Sequence, residues 1–306
     1  MRSPVRLLAT GLSGQVVQCL VERARAHGDL EVITLGRPYL DLMNTETVAG
    51  VVRTAAPDIL VSAAAYTSVD LAESHAATAF KINSEAPGAL AAVANEMAIP
   101  IIHLSTDYVF DGAKTEPYVE ADLTNPLGVY GLSKLYGERL VAANTQDYVV
   151  LRTAWLFSPF GKNFVATMLR SSETADELRV VDDQFGNPTS ALDLATAILL
   201  IGKNLLNSDD PDLRGIFHLA ATGDASWADL AEEVFRVSRY LGGSFSNVNR
   251  ISSADYPTAA RRPASSRLSC ARAAMHHGIC LPHWRDSVGE TVRRLISIRA
   301  KTETTE

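Results

Sequence analysis

Short apolar runs alternate with longer, helix-like stretches through the first half of the chain. Residues 5–9, 31–35, 58–63, 100–105 and 148–153 have strand length and read as continuous apolar runs rather than as an in–out alternation. Strands of that kind are covered on both faces, as in parallel sheets. Residues 14–27, 45–56, 72–98 and 130–143 have helical length and are rich in Ala, Leu and Glu. The βαβαβ order predicts an α/β fold with a doubly wound parallel sheet, for which right-handed crossovers leave few topologies.

Beyond residue 158 the regularity fades, and Pro159, Gly161, Gly186, Pro188, Pro211, Gly242, Gly243, Pro257, Pro263 and Pro282 punctuate shorter elements. A smaller C-terminal α/β lobe is expected there. A helix over 190–206 and a strand over 215–220 read as returning to the first lobe. The boundary is therefore discontinuous, with one domain at 1–158 plus about 190–223 and the other at about 159–189 plus 224–306.

Composition narrows the class. With 28 Lys and Arg against 35 Asp and Glu, the net charge of -7 disfavours a duplex nucleic acid or an anionic membrane as a broad-surface partner. No apolar run approaches the about 18 residues of a bilayer span, the strongest being 194–201, and the apolar start at 5–9 is too short for a signal segment. Cys19, Cys270 and Cys280 are an odd set without C-x-x-C spacing, which suits a reducing compartment and a cytoplasmic location.

Candidate chemistry sits where strands become helices. Gly11-Leu12-Ser13-Gly14-Gln15-Val16 follows the first strand, where glycines let the backbone approach a pyrophosphate at the positive end of a helix, as in a Rossmann-type fold. Val17 stands where a third glycine often sits. The second strand ends Leu35-Gly36-Arg37, without the acid that usually holds an NAD ribose. Either Arg37 meets a 2′-phosphate, which selects NADPH over NADH, or it is a solvated surface charge.

Tyr130 has Lys at i+4, Lys134, so both side chains share one helix face. A phenol is a poor proton donor at neutral pH unless its anion is stabilised, and an ammonium does this by Coulomb attraction. Thr106 ends the fourth strand, at the sheet edge where α/β folds bind ligands, and offers a hydroxyl to the same reacting oxygen.

These residues, with Ala63-Ala64-Ala65-Tyr66-Thr67-Ser68-Val69-Asp70, Ser105-Thr106-Asp107-Tyr108-Val109-Phe110, Asp183-Gln184-Phe185-Gly186-Asn187-Pro188-Thr189 and Ala260-Arg261-Arg262-Pro263, resemble the dTDP-4-dehydrorhamnose reductase family of the extended short-chain dehydrogenase/reductase superfamily. The likeness runs through nearly the whole chain. It implies a dinucleotide-binding first domain and a nucleotide-sugar-binding second domain. It also implies a catalytic triad of Thr106, Tyr130 and Lys134, in which Tyr130 protonates O4 of a dTDP-linked sugar while Lys134 tunes the phenol and holds the nicotinamide ribose. Cofactor contacts are implied for Gly14, Gln15, Val16, Asp41, Leu42, Ala63, Ala64 and Ala65, beside Gly11 and Arg37, and sugar contacts for Asp107 and Trp155. Some members hold Mg²⁺ on glutamates at a homodimer interface. The matching positions here are Cys19 and Leu192, neither a Mg²⁺ ligand, so no metal is expected and the oligomeric state stays open.

Residues 259–272 carry Arg261, Arg262, Arg267 and Arg272 with no acid, which reads either as an anion site for a diphosphate, with Arg262 as a substrate contact, or as four solvated charges. His276, His277, Cys280 and His283 imitate metal spacing but lack supporting acids, so structural or surface roles are expected. His103 reads as a core histidine and Trp227 as a packing anchor. The leading expectation is an NADPH-dependent reductase of a dTDP-4-keto-6-deoxy sugar. The alternatives are another nucleotide-sugar 4-ketoreductase or epimerase of the same superfamily, and a non-catalytic regulatory subunit like that of methionine adenosyltransferase.

Overall fold

Six parallel strands form the central sheet: β1 (Val5–Thr10), β2 (Leu30–Leu35), β3 (Ile59–Ser62), β4 (Ile101–Thr106), β5 (Tyr148–Thr153) and β6 (Gly215–His218), in the spatial order β6-β5-β4-β3-β1-β2. The order reverses between β1 and β3, so the C-terminal ends of those strands border the ligand crevice of such sheets. The computed structural model describes residues 4–26 and 28–303, with side chains described as far as 298.

The continuous apolar runs are explained by two cores. Leu7, Ala9, Ile59, Val61, Ile102, Leu104, Val149 and Leu151 enter one core, under helices α1 (Gln15–Ala24) and α5 (Ala191–Asn207). Leu8, Leu60, Ile101 and Val150, their alternates along each strand, enter the other. That second core lies under α2 (Thr45–Ala55), α3 (Ala86–Glu96) and α4 (Val129–Asn144). With both faces apolar, no strand alternates with solvent. The returning helix and strand are in place: α5 packs on α1, capped by the Ser190 hydroxyl on the Leu192 amide, and β6 pairs with β5. The first helix ends at Ala24, and His27 lies outside the described residues.

The expected helix over 72–98 is instead four pieces: Val69–Ala72, Ala76–Phe80, a π-helical turn Lys81–Glu85, and α3. Pro87 accounts for the π turn: it has no amide for the carbonyl four residues back, that of Asn83, and its ring crowds that carbonyl, so the helix widens there by one residue. Outside the central sheet, four two-stranded pairings are formed among the described residues. These are Leu156–Phe157 with Thr189–Ser190, Glu177–Val181 with Asn247–Ile251, Phe185–Gly186 with Ala225–Ser226, and Ala221–Thr222 with Leu281–His283. Among the described residues no helix is long and apolar enough to cross a membrane.

Candidate active site

At the end of β1 the buried Thr10 hydroxyl accepts from the Ala63 and Ala64 amides, at 3.0 Å each, joining the glycine turn to the Ala63-Ala64-Ala65 segment after β3. Gly11 takes φ +108°, open to glycine, and a Cβ there would lie 3.4 Å from Val17 Cγ2. Val17 thus packs where a third glycine often stands, on the buried side of α1. The Gly14 N-cap has no side-chain cap and no acid stands in the first turn, so the amide end of α1 suits a diphosphate. Gln15 accepts from the Ser158 hydroxyl at 2.9 Å, and Val16 is buried. Arg37 is exposed past the end of β2; Asp41 accepts from the Met43 amide at 3.0 Å, and Leu42 is buried. These residues fit a dinucleotide.

Helix α4 is pressed against this region by its glycines. A Cβ on Gly131 would stand 2.1 Å from the Tyr108 carbonyl oxygen, and one on Gly137 would stand 2.1 Å from the Asn83 carbonyl oxygen. The buried Asn83 side chain accepts from the Tyr66 amide (2.7 Å) and donates to the Tyr66 carbonyl (3.1 Å) and the Ser133 hydroxyl (3.0 Å). Ser133 in turn donates to the Tyr130 carbonyl at 2.8 Å. The π turn that Pro87 imposes therefore clamps the Ala63–Tyr66 segment to the helix turn bearing Tyr130.

Lys134 is buried, with its ammonium donating to the Leu104 carbonyl at 2.5 Å and standing 3.4 Å from His103 Nε2. Burial pushes it down to about 8, partly opposed by the Glu138 carboxylate. His103, fully buried, faces the Ser62 hydroxyl at 3.0 Å through Nδ1, and burial beside Lys134 drives it far below the ordinary imidazole range. It is a neutral core histidine that also faces the ammonium. Tyr130 meets Tyr108 edge-on at 5.9 Å; burial raises its phenol to about 12, against the lowering effect of the Thr106 hydroxyl. The lowered phenol anticipated from Lys134 is thus not the state of the chain alone: burial and the Asp107 charge raise it, and the ammonium is turned toward the Leu104 carbonyl.

The Thr106 hydroxyl donates to Asp107 Oδ1 at 2.9 Å and accepts from the Tyr108 amide at 3.2 Å. Asp107 Oδ2 is buried without a partner, and burial raises the carboxyl to about 6. Arg262 donates from Nη2 to Asp70 Oδ2 at 2.9 Å and leaves Nη1 buried and unpartnered. Ala260 also donates to Asp70, at 3.0 Å, so this loop closes over a cleft lined by Val69, Tyr108, Tyr130, Gly131, Arg261 and Pro263. Trp155 adopts φ +46°, rare for a large side chain, and stacks on Trp227 at 3.6 Å with an interplanar angle of 4°. Trp227 is the packing anchor, meeting Phe164 as well.

The four arginines do not converge. Arg267 binds Asp224, the Ser265 hydroxyl and the Thr115 carbonyl, while Arg272 donates to the carbonyls of Ile216 and Arg214 over the Phe217 ring. An extended loop carries neighbours in sequence to different surfaces; of the four, Arg261 lines the cleft, while Arg262 pairs with Asp70. Among the described residues no three His, Cys, Asp or Glu gather as metal ligands. His277 packs edge-on to Phe217 at 4.6 Å, and His283 lies beside Gly223. Cys19 and Leu192 are buried in the core.

Residues not anticipated from sequence are Asn83, Ser105, Glu138 and Arg152, which surround the triad from below. Glu138 was legible in principle, since 130, 134 and 138 repeat at four on one face of α4.

A family model described as the RmlD substrate binding domain matches residues 5–297. A dTDP-4-dehydrorhamnose reductase of Sinorhizobium fredii is 50% identical over 292 residues, covering 95% of this chain and 98% of that protein. The enzyme of that name from Escherichia coli is 40% identical over 85% of this chain and 87% of its own length. Among solved structures, a dTDP-4-dehydrorhamnose reductase from Clostridium acetobutylicum superposes with a TM-score of 0.88 at 35% identity, covering 95% of this chain and 100% of that one. One from Bacillus anthracis, in complex with NADP, superposes with a TM-score of 0.87 at 30% identity, covering 94% and 98%. The resemblance seen in the motifs therefore extends over the length of both sequence and fold, and the chain belongs to the RmlD substrate binding domain family, with the dTDP-4-dehydrorhamnose reductases that it matches.

Proposed function

We propose that the chain reduces the C4 ketone of dTDP-4-dehydro-L-rhamnose to dTDP-L-rhamnose with NADPH. The observation that carries this reading is the gathering of Thr106, Tyr130 and Lys134 at the end of β4, in a chain 50% identical to a reductase of that name. NADPH, when bound, supplies the hydride. Gly11, Gly14, Gln15 and Val16 hold its diphosphate end, Asp41, Leu42 and Ala63 to Ala65 line its path, and Arg37 meets the 2′-phosphate. The NADP held by the Bacillus anthracis relative supports that preference.

Tyr130 gives its proton to O4, Thr106 holds the same oxygen, and Lys134 supports the resulting phenolate and the cofactor ribose. Asp107, Trp155 and Arg262 face the sugar nucleotide, between a domain of residues 1–158 plus 190–223 and one of 159–189 plus 224–306. We place the protein in the cytoplasm, as a homodimer or a monomer without a shared metal, because Cys19 and Leu192 offer no ligand for one.

Loss of NADPH absorbance, measured with dTDP-4-dehydro-L-rhamnose and with other nucleotide keto sugars, tests this. One NADPH consumed per sugar is expected, with Tyr130→Phe slower by roughly 10²–10⁴ while cofactor still binds. Isomerisation of the sugar without net consumption identifies an epimerase, and inertness towards every keto sugar favours a regulatory subunit.

A further inference from the structure

We propose that Glu138 is a positioning residue: its carboxylate gathers Ser105 and Arg152 into one buried cluster that fixes both the strand end carrying Thr106 and the helix turn carrying Lys134. The inference rests on the reductase reading above. Glu138 Oε1 accepts from the Ser105 hydroxyl at 2.5 Å and from Arg152 Nε at 3.0 Å, and Oε2 accepts from Arg152 Nη2 at 2.7 Å. Both charged side chains are almost wholly buried, at 2% and 3% exposure. The remaining Arg152 nitrogen, Nη1, stands 3.5 Å from His218 Nε2, and the guanidinium lies 5.1 Å from the centre of the Phe110 ring. With Nε2 facing a donor, His218 carries its hydrogen on Nδ1 and donates it to the Tyr118 carbonyl at 3.1 Å. One carboxylate thereby ties α4, β4, β5, β6 and the loop that follows Thr106.

A buried ion pair is a weak source of stability, because desolvating two charges offsets most of their attraction. Its location is more informative. Ser105 is the residue before Thr106, and Glu138 lies one helical turn from Lys134 on the same face. The groups facing Lys134 are Glu138 and Tyr130 on α4, neutral His103 and the Leu104 carbonyl on β4, and, behind Glu138, Arg152 on β5. Glu138 is the one anion among them, and its charge opposes the loss of the ammonium proton on burial.

Two substitutions separate anchoring from charge. Ser105→Ala removes the link between strand and carboxylate but leaves the ion pair intact, whereas Glu138→Gln removes the charge at constant volume. Ser105→Ala is expected to lower kcat roughly tenfold with KM for the sugar nearly unchanged, the signature of a misplaced reacting group. Glu138→Gln is expected to move the alkaline limb of the kcat profile about one pH unit lower, because Lys134 then loses its proton sooner. Amide hydrogen exchange at residues 105–108, read against β1, is expected to quicken in both variants.

Wild-type kcat, an unmoved alkaline limb and unchanged exchange at 105–108 would overturn the assignment. The exchange measurement needs no turnover. If the wild-type chain consumes no NADPH, the reductase reading falls, and exchange alone decides whether Glu138 holds this strand end. Should Glu138→Gln not fold, Ser105→Ala carries the test through kcat and exchange.

Discussion

Burial holds the Asp107 carboxyl at about 6, above its ordinary 3.8, and leaves Oδ2 without a partner. A raised carboxyl means that the folded chain binds more protons than the unfolded one between those values, so stability falls as pH rises through that window. The effect is on the order of 3 kcal/mol for a fully desolvated group. Asp107→Asn is therefore expected to raise the free energy of urea unfolding near neutral pH, with the gain vanishing as the pH falls below 3.8. A gain that persists in acid would show that the cost is steric and not ionic.

At the scale of elements, α4 illustrates how glycine can act against helix propensity. Replacing a helical glycine by alanine ordinarily stabilises by about 1 kcal/mol. A Cβ added to Gly50 in α2 would meet nothing within 4 Å, so Gly50→Ala is expected to follow that rule. A Cβ on Gly137 would stand 2.1 Å from the Asn83 carbonyl oxygen, and a backbone carbonyl in a π turn cannot swing aside. Gly137→Ala is expected to destabilise by about 2 kcal/mol or more, as overpacking does. Urea denaturation of both variants checks the contrast, and equal signs would refute it. The same contact explains why Lys134 sits so deep: the helix reaches the sheet because two of its residues have no side chain.

Over the whole molecule, segments far apart in sequence are tied by many contacts, among them Asp70 with Ala260 and Arg262, the Tyr118 amide with the Arg267 carbonyl, Glu22 with Arg294, and Asp193 with Ser287. Dinucleotide binding should stabilise the entire chain by mass action, adding about 2.7 kcal/mol at a hundred times the dissociation constant. Thermal unfolding is expected to shift further with NADPH than with an equal concentration of NADH, and Arg37→Ala to abolish the difference. Equal shifts in the wild-type chain would remove Arg37 from cofactor selection. Acid should act on the whole fold through His218, which burial beside Arg152 pushes down to about 3. The unfolded chain takes up that proton first, so stability is lost as pH falls from 6.5 towards 3.

The parallel sheet, its two covering layers, the glycine turn and the Tyr130–Lys134 spacing were legible in the amino-acid sequence, because periodicity and turn chemistry are local and act within a few residues. Pro87 was equally visible, and its break in the helix belongs to the same class of signal. What only the folded chain decided is which distant groups meet: Asn83 with Tyr66 and Ser133, Glu138 with Ser105 and Arg152, and Arg262 with Asp70. It also decided that Arg267 and Arg272 turn away from the cleft that Arg261 lines. Such pairings depend on strand order, register and burial, and desolvation then sets the ionisation of each group. Neither is written in the spacing of residues along the chain.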